Sequence, residues 1–329
     1  MMRSAPERER GAALLTVLLL VAVIAVLAAT TLERLRLSTR LAGNAAAIEQ
    51  SRAFAYAAET LALTRINSIL SRSPDRITLA GGWQGRPFGL PLPGGGVATA
   101  RVYDGGNCFN LNGLVSERQP GVYAADETQR ALLARLLRLL QSPPQVAEQV
   151  AAGAADWIDS DDLATAQGAE DAAYLRLATS YRTSGTLMAD PSELRAVAGV
   201  TPELYDRVRP FLCALPIPEP ARINVNTLLP EQAPLFSMFF PDGRLPPEAA
   251  QQYLLRRPPQ GYGDPGQMLA GPAAAGINPD FQPQFAAKSR WFSLRVDISF
   301  GGITLEEHAL VDASRLPARL VSRQWGEVL

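Results

Sequence analysis

Histidine is almost absent from this 329-residue sequence; His308 is the only one. That nearly excludes imidazole-based catalysis and any metal site with several histidine ligands. The two cysteines, Cys108 and Cys213, lie too far apart for a C-x-x-C pair, so no zinc cluster can be drawn from them. An excess of either charge is also missing: the net charge is −1, which argues against a nucleic-acid binder driven by bulk electrostatics. No G-x-S-x-G, Walker or dinucleotide-binding motif is present. Two local absences stand out at the N-terminus. No charge falls between Gly11 and Glu33, and from Ala12 to Ser73 there is no proline and one glycine, Gly43.

What fills those gaps is apolar and helical. Ala12 to Leu32 would span about 30 Å as a helix, enough for a bilayer core. Three readings compete: a cleaved secretory signal, for which Val26-Leu27-Ala28 is a loose cut site; a plain membrane anchor; and a leader cut at Gly11 with the helix retained from Ala12. The third rests on residues 8–20, which resemble the leader of type IV pilins and pseudopilins. Beyond the membrane part, Ile48, Ala55, Ala58, Ala62, Ile66 and Ile69 recur at helical steps, and Ser73-Pro74 stops the pattern. A signal peptide gives no reason for so long a continuation; a stalk helix does. A coiled coil would need sustained heptads, which the alanine-rich stripe lacks.

The rest of the chain divides by periodicity. Ile77–Leu79 and Val97–Tyr103 read as short strands separated by a Gly/Pro-rich loop, Gly81–Gly96. Near the C-terminus, Trp291, Leu294, Val296 and Ile298 alternate in one strand. Gly301-Gly302 turns the chain, Ile303, Leu305, Ala309 and Val311 alternate in a second strand, and "RLVSRQW" offers a third. The stretch between reads almost wholly helical, with helices at Ala131–Leu140 and around Val146–Asp156, Pro191–Ala198 and Pro202–Leu212. The simplest assembly is an α+β fold, a helix on an antiparallel sheet with a helical domain inserted between its strands. Two domains in series would leave the C-terminal hairpin without a large sheet.

Two stretches of the insert carry possible chemistry. Residues 192–215 resemble a helix-hairpin-helix with Gly199-Val200-Thr201-Pro202 as the hairpin, and residues 223–269 look like a cousin of it. In DNA-binding proteins that motif offers amides to phosphate, but here Glu193, Glu203 and Asp206 offset Arg195, Arg207 and Arg209, so a packing module is the simpler reading. The second stretch is acidic: Asp156, Asp159, Asp161, Asp162, Glu170 and Asp171, with Gly168 permitting a turn. Crowded carboxylates in a loop suit Ca²⁺, though the spacing is not that of an EF-hand. A solvated loop with helix-capping aspartates explains the residues equally well. A glycosidase-like carboxylate pair lacks an aromatic sugar platform beside it.

Taken together, the RERG/AALL leader, "CFNLNGLV", "ADWIDSDD", "GAEDAAYL", "LMADPSELRAVAGVTPELYDRVRPFL" and "INVNTLLPEQAPLF" resemble the type II secretion system minor pseudopilin K family, in the family's order and across most of the chain. The resemblance implies a pilin-like long N-terminal helix on an antiparallel sheet, with a large inserted all-helical domain containing helix-hairpin-helix-like units. It implies a leader at 1–11, a membrane part at 12–33, a pilin-like body at 34–118 and 285–329, and the insert at 119–284. It implies a non-enzymatic protein, anchored once in the inner membrane of a Gram-negative bacterium with its head in the periplasm. That protein caps a pseudopilus and starts its assembly. Its expected partners are minor pseudopilins I and J in a tip complex, the major pseudopilin and the prepilin peptidase, with no nucleic acid. The alternative is a membrane-anchored DNA-binding or uptake protein. In the resembled family the insert binds calcium, here expected from Asp159, Asp161, Asp162, Glu170 and Asp171. Gly11 and Ala12 would flank the leader cut, and Thr16 would be mature position five, where most pilin-like proteins carry glutamate. An oxidising periplasm would pair Cys108 with Cys213.

Overall fold

The computed structural model describes residues 7–271 and 274–326. Residues 1–6 of the expected leader lie outside the described residues. Helix α1 runs unbroken over Glu7–Arg72. It persists because proline is absent, and it ends where Pro74 bars its predecessor from helical geometry. From Gly11 to Ala46 it is exposed on every side. Farther on it meets a sheet: Ala55, Ala58, Ala62 and Ile66 are buried, and Ile48 and Ile69 half-buried, which is the stripe read from the sequence.

After α1 come β1 (Phe88–Pro91), β2 (Val97–Asp104), β3 (Phe109–Asn110), β4 (Val115–Gln119) and β5 (Val122–Ala125). Then follow α2 (Glu127–Leu139), α3 (Pro144–Asp156), α4 (Asp171–Tyr174), α5 (Pro202–Val208), β6 (Leu212–Cys213) and β7 (Ile223–Asn224). The chain closes with α6 (Ala233–Ser237), α7 (Pro247–Leu255), α8 (Pro265–Leu269), β8 (Phe285–Ala286), β9 (Trp291–Phe300), β10 (Ile303–Asp312) and β11 (Arg319–Trp325). Five strands form one antiparallel sheet in the order β1-β2-β9-β10-β11. The β9–β10 turn is the Gly301-Gly302 pair, both at positive φ, and Phe300 pairs with Ile303 across it. Ala98, Ala100, Val102, Phe292, Leu294, Val296 and Ile298 form the sheet face that covers the α1 stripe. The alanines matter by their size, because small side chains let helix and strands approach closely. An ion-pair cluster locks the same contact: Arg323 of β11 donates to Glu59 of α1 at 2.6 and 3.0 Å and to Glu307 of β10 at 3.2 Å.

β2 and β9 are hydrogen-bonded neighbours, yet everything from Gly105 to Arg290 is looped out between them. The insert has its own core, in which Leu132, Leu133, Leu136 and Leu137 of α2 pack with Ala147, Val150 and Ala151 of α3 and with Leu235, Phe236 and Phe240. Its expectation as almost wholly helical needs correction. Between Trp157 and Thr201 the only regular pieces are the one-turn α4 and a 3₁₀ helix at Pro191–Ala196, where a longer helix was expected. Three two-stranded pairs, β3–β6, β4–β5 and β7–β8, join the segments. Prolines and glycines break the periodicity, and side-chain amides take over backbone hydrogen bonds that helices would have satisfied. Two other readings are corrected. Ile77–Leu79 is not a strand; Ile77 is buried and bonds singly to Ala287. The loop Gly81–Gly96 contains β1, whose pairing with β2 no local pattern announces.

Cys108 and Cys213 are joined in a disulfide, with Cα atoms 5.8 Å apart and a sequence separation of 105. The bond closes the loop that holds β4, β5 and helices α2 to α5. In the chain-entropy limit such a loop stabilises by roughly 4–5 kcal/mol. The Cys108→Ser/Cys213→Ser double variant is expected to lose about 2–5 kcal/mol in urea unfolding of the detergent-solubilised chain. Unreduced, denatured wild type should label no thiols; two labelled thiols would refute the bond.

Candidate metal centre and the insert–sheet junction

Helix α3 opens on Pro144 and is alanine-rich, so it packs tightly and carries its last residue, Asp156, into the interior. Asp159 follows three residues later on the same side of the chain, and both are buried. A loop then returns the chain to Glu170, which caps α4 and is also buried. One carboxylate oxygen from each of Asp156, Asp159 and Glu170 lies within 4.8 Å of the others. Asp156 Oδ1, Asp159 Oδ1 and Glu170 Oε1 are buried without a hydrogen-bond partner. Two full charges at that separation repel by roughly 3–4 kcal/mol at an effective dielectric near 20. Burial, then the neighbouring carboxylates, pushes Asp159 and Glu170 each up to about 7; Asp156 is raised too, chiefly by burial.

Three buried carboxylates gathered at one place, each with an oxygen that has no hydrogen-bond partner, fit a hard divalent cation. Carbonyls and water would complete the 6–8 ligands calcium takes. The loop is shaped around this point. A Cβ on Gly168 would sit 2.0 Å from Asp156 Oδ2, so the glycine is required by close approach; the positive φ in the loop is at Gln167. Trp157, Tyr174 and Tyr181 form an aromatic wall, with ring centroids 5.2 to 6.0 Å apart, and it is tied to the chain beyond the loop where Tyr181 donates to Ala196 O and Ala198 N donates to Tyr174.

The other expected ligands lie outside the cluster. Asp171 accepts from Thr183 N and pairs with Arg182 at 2.6 Å, and those contacts hold its carboxyl below the ordinary range. Asp161 accepts from Leu163 N at 2.8 Å and is exposed, as is Asp162. Asp156 belonged to the acidic run but not to the expected ligand set; its i, i+3 spacing to Asp159 at a helix end was the available signal. The helix-hairpin-helix reading also resolves locally. Gly199 takes φ +86° and Thr201 caps α5, while Arg195 lies over Tyr205 and Arg207 donates to Leu140 and Gln141 carbonyls. At the other end of the chain, Thr16 Oγ1 donates to the carbonyl three residues back, at Ala13 (2.9 Å).

A second polar centre ties the insert to the sheet. Asp104, at the end of β2, is buried and accepts from Thr227 Oγ1, Ser289 Oγ and, at 3.0 Å, Gly106 N. Asn224 donates to Ser289 Oγ and Ile77 O, and its own amide donates to Asn107 Oδ1 at 2.8 Å. Asn110 and Asn112 hold the backbone of Met188 and of residues 215–219 in the same manner. The quoted "CFNLN" and "INVNT" stretches are therefore the wiring of this junction.

Two models of the family described as type II secretion system (T2SS), protein K match residues 107–217 and 223–288. The type II secretion system protein K of Pectobacterium carotovorum is 31% identical over 328 residues, 97% of each chain. The chain belongs to the type II secretion system protein K family. The Klebsiella pneumoniae member is 33% identical, again over 97% of both chains. A chain of the crystal structure of the GspK–GspI–GspJ complex from enterotoxigenic Escherichia coli superposes with a TM-score of 0.73 and 29% identity, covering 85% of this chain and 97% of that one. Protein K is a minor pseudopilin, and the α+β architecture with a helical insertion is that of the solved member.

Asp159 and Glu170 set a pH dependence. Below pH about 4 they are protonated in both folded and unfolded states; between about 4 and 7 the folded state holds protons that the unfolded chain has released. Stability in the presence of a chelator should therefore fall as pH rises through that window. Asp159→Asn should flatten the fall, read by thermal melts in EGTA.

Proposed function

We propose that this minor pseudopilin sits at the tip of the periplasmic pseudopilus, in complex with minor pseudopilins I and J, and helps begin assembly on the inner membrane for export across the outer membrane. The observation carrying the reading is the insert: residues 105–290, more than half the chain, emerge from one side of a pilin-like hairpin. A second subunit stacked above would have to pass this mass. The solved relative was crystallised with GspI and GspJ, which supports the same partners here. Thr16 agrees with a terminal place. An unpaired glutamate at that depth is costly, whereas threonine spends its hydroxyl within its own helix.

Gly11 supports leader cleavage by prepilin peptidase before Ala12. It lies inside α1, where glycine costs about 1 kcal/mol relative to alanine, and a Cβ there would meet nothing within 4 Å. The fold has no use for a glycine at that position, whereas a protease reaching the bond does. The head then faces the periplasm and the helix remains as the anchor. The arginines of the helix-hairpin-helix stretch are engaged within the protein, which favours packing over DNA uptake as its role.

The metal is calcium, held by Asp156, Asp159 and Glu170. When bound, it supplies the positive charge that lets three buried carboxylates ionise together, and so fixes the loop between α3 and α4. Melts with 1–5 mM calcium (about the range of weak extracellular sites) should lie above those in EGTA, and Asp159→Asn should abolish the difference; identical curves would sink the assignment. For the tip role, gold-labelled protein should mark isolated pseudopili once, at one end, and Gly11→Val should remain uncut and absent from them. Labels spread along the shaft would defeat it.

A further inference from the structure

Just beyond the apolar span, α1 carries Arg34, Arg36 and Arg40, with Glu33 the only acidic residue before Glu49. All three arginines are exposed, and among the described residues no carboxylate lies within ion-pair distance of any of them. Farther along the same helix arginines are engaged: Arg52 pairs with Glu49 at 2.8 Å, and Arg65 lies over Phe88 at 5.2 Å. Between the membrane segment and the head every cation of α1 stands without an ion pair among the described residues, as does Arg72 at the far end of the helix.

Helix geometry divides them. Arg36 and Arg40 are four residues apart, hence about 40° apart around the axis and about 6 Å along it; Arg34 projects from nearly the opposite side. Leu32, Leu35, Arg36, Thr39 and Arg40 line one shallow groove. With Ala12–Leu32 filling a hydrocarbon core of about 30 Å, Arg36 emerges roughly 6 Å above the core edge and Arg40 roughly 12 Å above it. Helical side chains lean toward the N-terminus, here back toward the bilayer, which brings both guanidinium groups down to the level of the lipid phosphates. The leucines below them suit acyl chains.

We propose that Arg36 and Arg40 form a clamp for the phosphate of anionic phospholipid in the leaflet on the head side. The clamp would set the height of the head above the membrane before the subunit joins a filament. Guanidinium forks match phosphate oxygens in pairs, and neither arginine must give up a partner in its own chain to bind them. The proposal rests on the membrane span alone and stands or falls separately from the tip assignment.

The test uses the full chain reconstituted in nanodiscs of phosphatidylcholine with 30% phosphatidylglycerol. After detergent release, the lipids that stay bound are counted by native mass spectrometry. Wild type should retain phosphatidylglycerol in preference to phosphatidylcholine. Arg36→Gln/Arg40→Gln should lose that preference by roughly thirtyfold, as removal of two surface cations predicts. Arg34→Gln should change it little, and Arg36→Lys/Arg40→Lys should keep most of it. Equal retention by wild type and the double glutamine variant would overturn the proposal. So would a double variant with unchanged lipid preference that no longer co-purifies with other pseudopilins, since the arginines would then serve a protein carboxylate.

Discussion

The rest of the molecule depends on the closure of the insert. The chain leaves the sheet at Asp104 and must return at Trp291 beside the strand it left, because β2 and β9 are hydrogen-bonded neighbours. Gly105 makes the exit possible: its amide bonds Trp291 O at 2.9 Å, and a Cβ there would press on Phe292 and Ser293 backbone at 2.9 to 3.1 Å. Asp104, Asn107, Asn224, Thr227 and Ser289 then fasten both ends of the excursion in one buried network. Buried polar groups are affordable only when satisfied, and here each one holds a segment that has no regular secondary structure of its own.

Below the junction the constraint is different in kind. Stalk and sheet meet through small residues, so the contact is strong by closeness, and Arg323 adds direction by bridging Glu59 on the helix to Glu307 in the sheet. Glu307 is raised above its ordinary range, first by burial and then by Glu59, a sign that two carboxylates share one guanidinium. Above the junction, the α3–α4 loop concentrates three carboxylates that form no ion pair among the described residues. The two regions treat buried charge differently: an internal arginine bridges two carboxylates in one, and three carboxylates stand together without an ion pair among the described residues in the other.

The sequence by itself determined the elements whose reasons are local. The absence of proline to Ser73 dictated α1, the 2-residue alternation after Trp291 dictated β9 and β10, and Gly301-Gly302 dictated their turn. It also carried the family in contiguous motifs. Only the tertiary structure decided what depends on residues distant in sequence. β1 exists because β2 lies alongside, Ile77 is fixed by Ala287 and Asn224, and the buried carboxylate cluster takes Asp156 and leaves out Asp161, Asp162 and Asp171. Those outcomes were not legible because all four aspartates have the same chemistry. Their burial and partners differ only once α3, Thr183 and Arg182 are in place, and carboxylate geometry is set by packing, not by spacing along the chain.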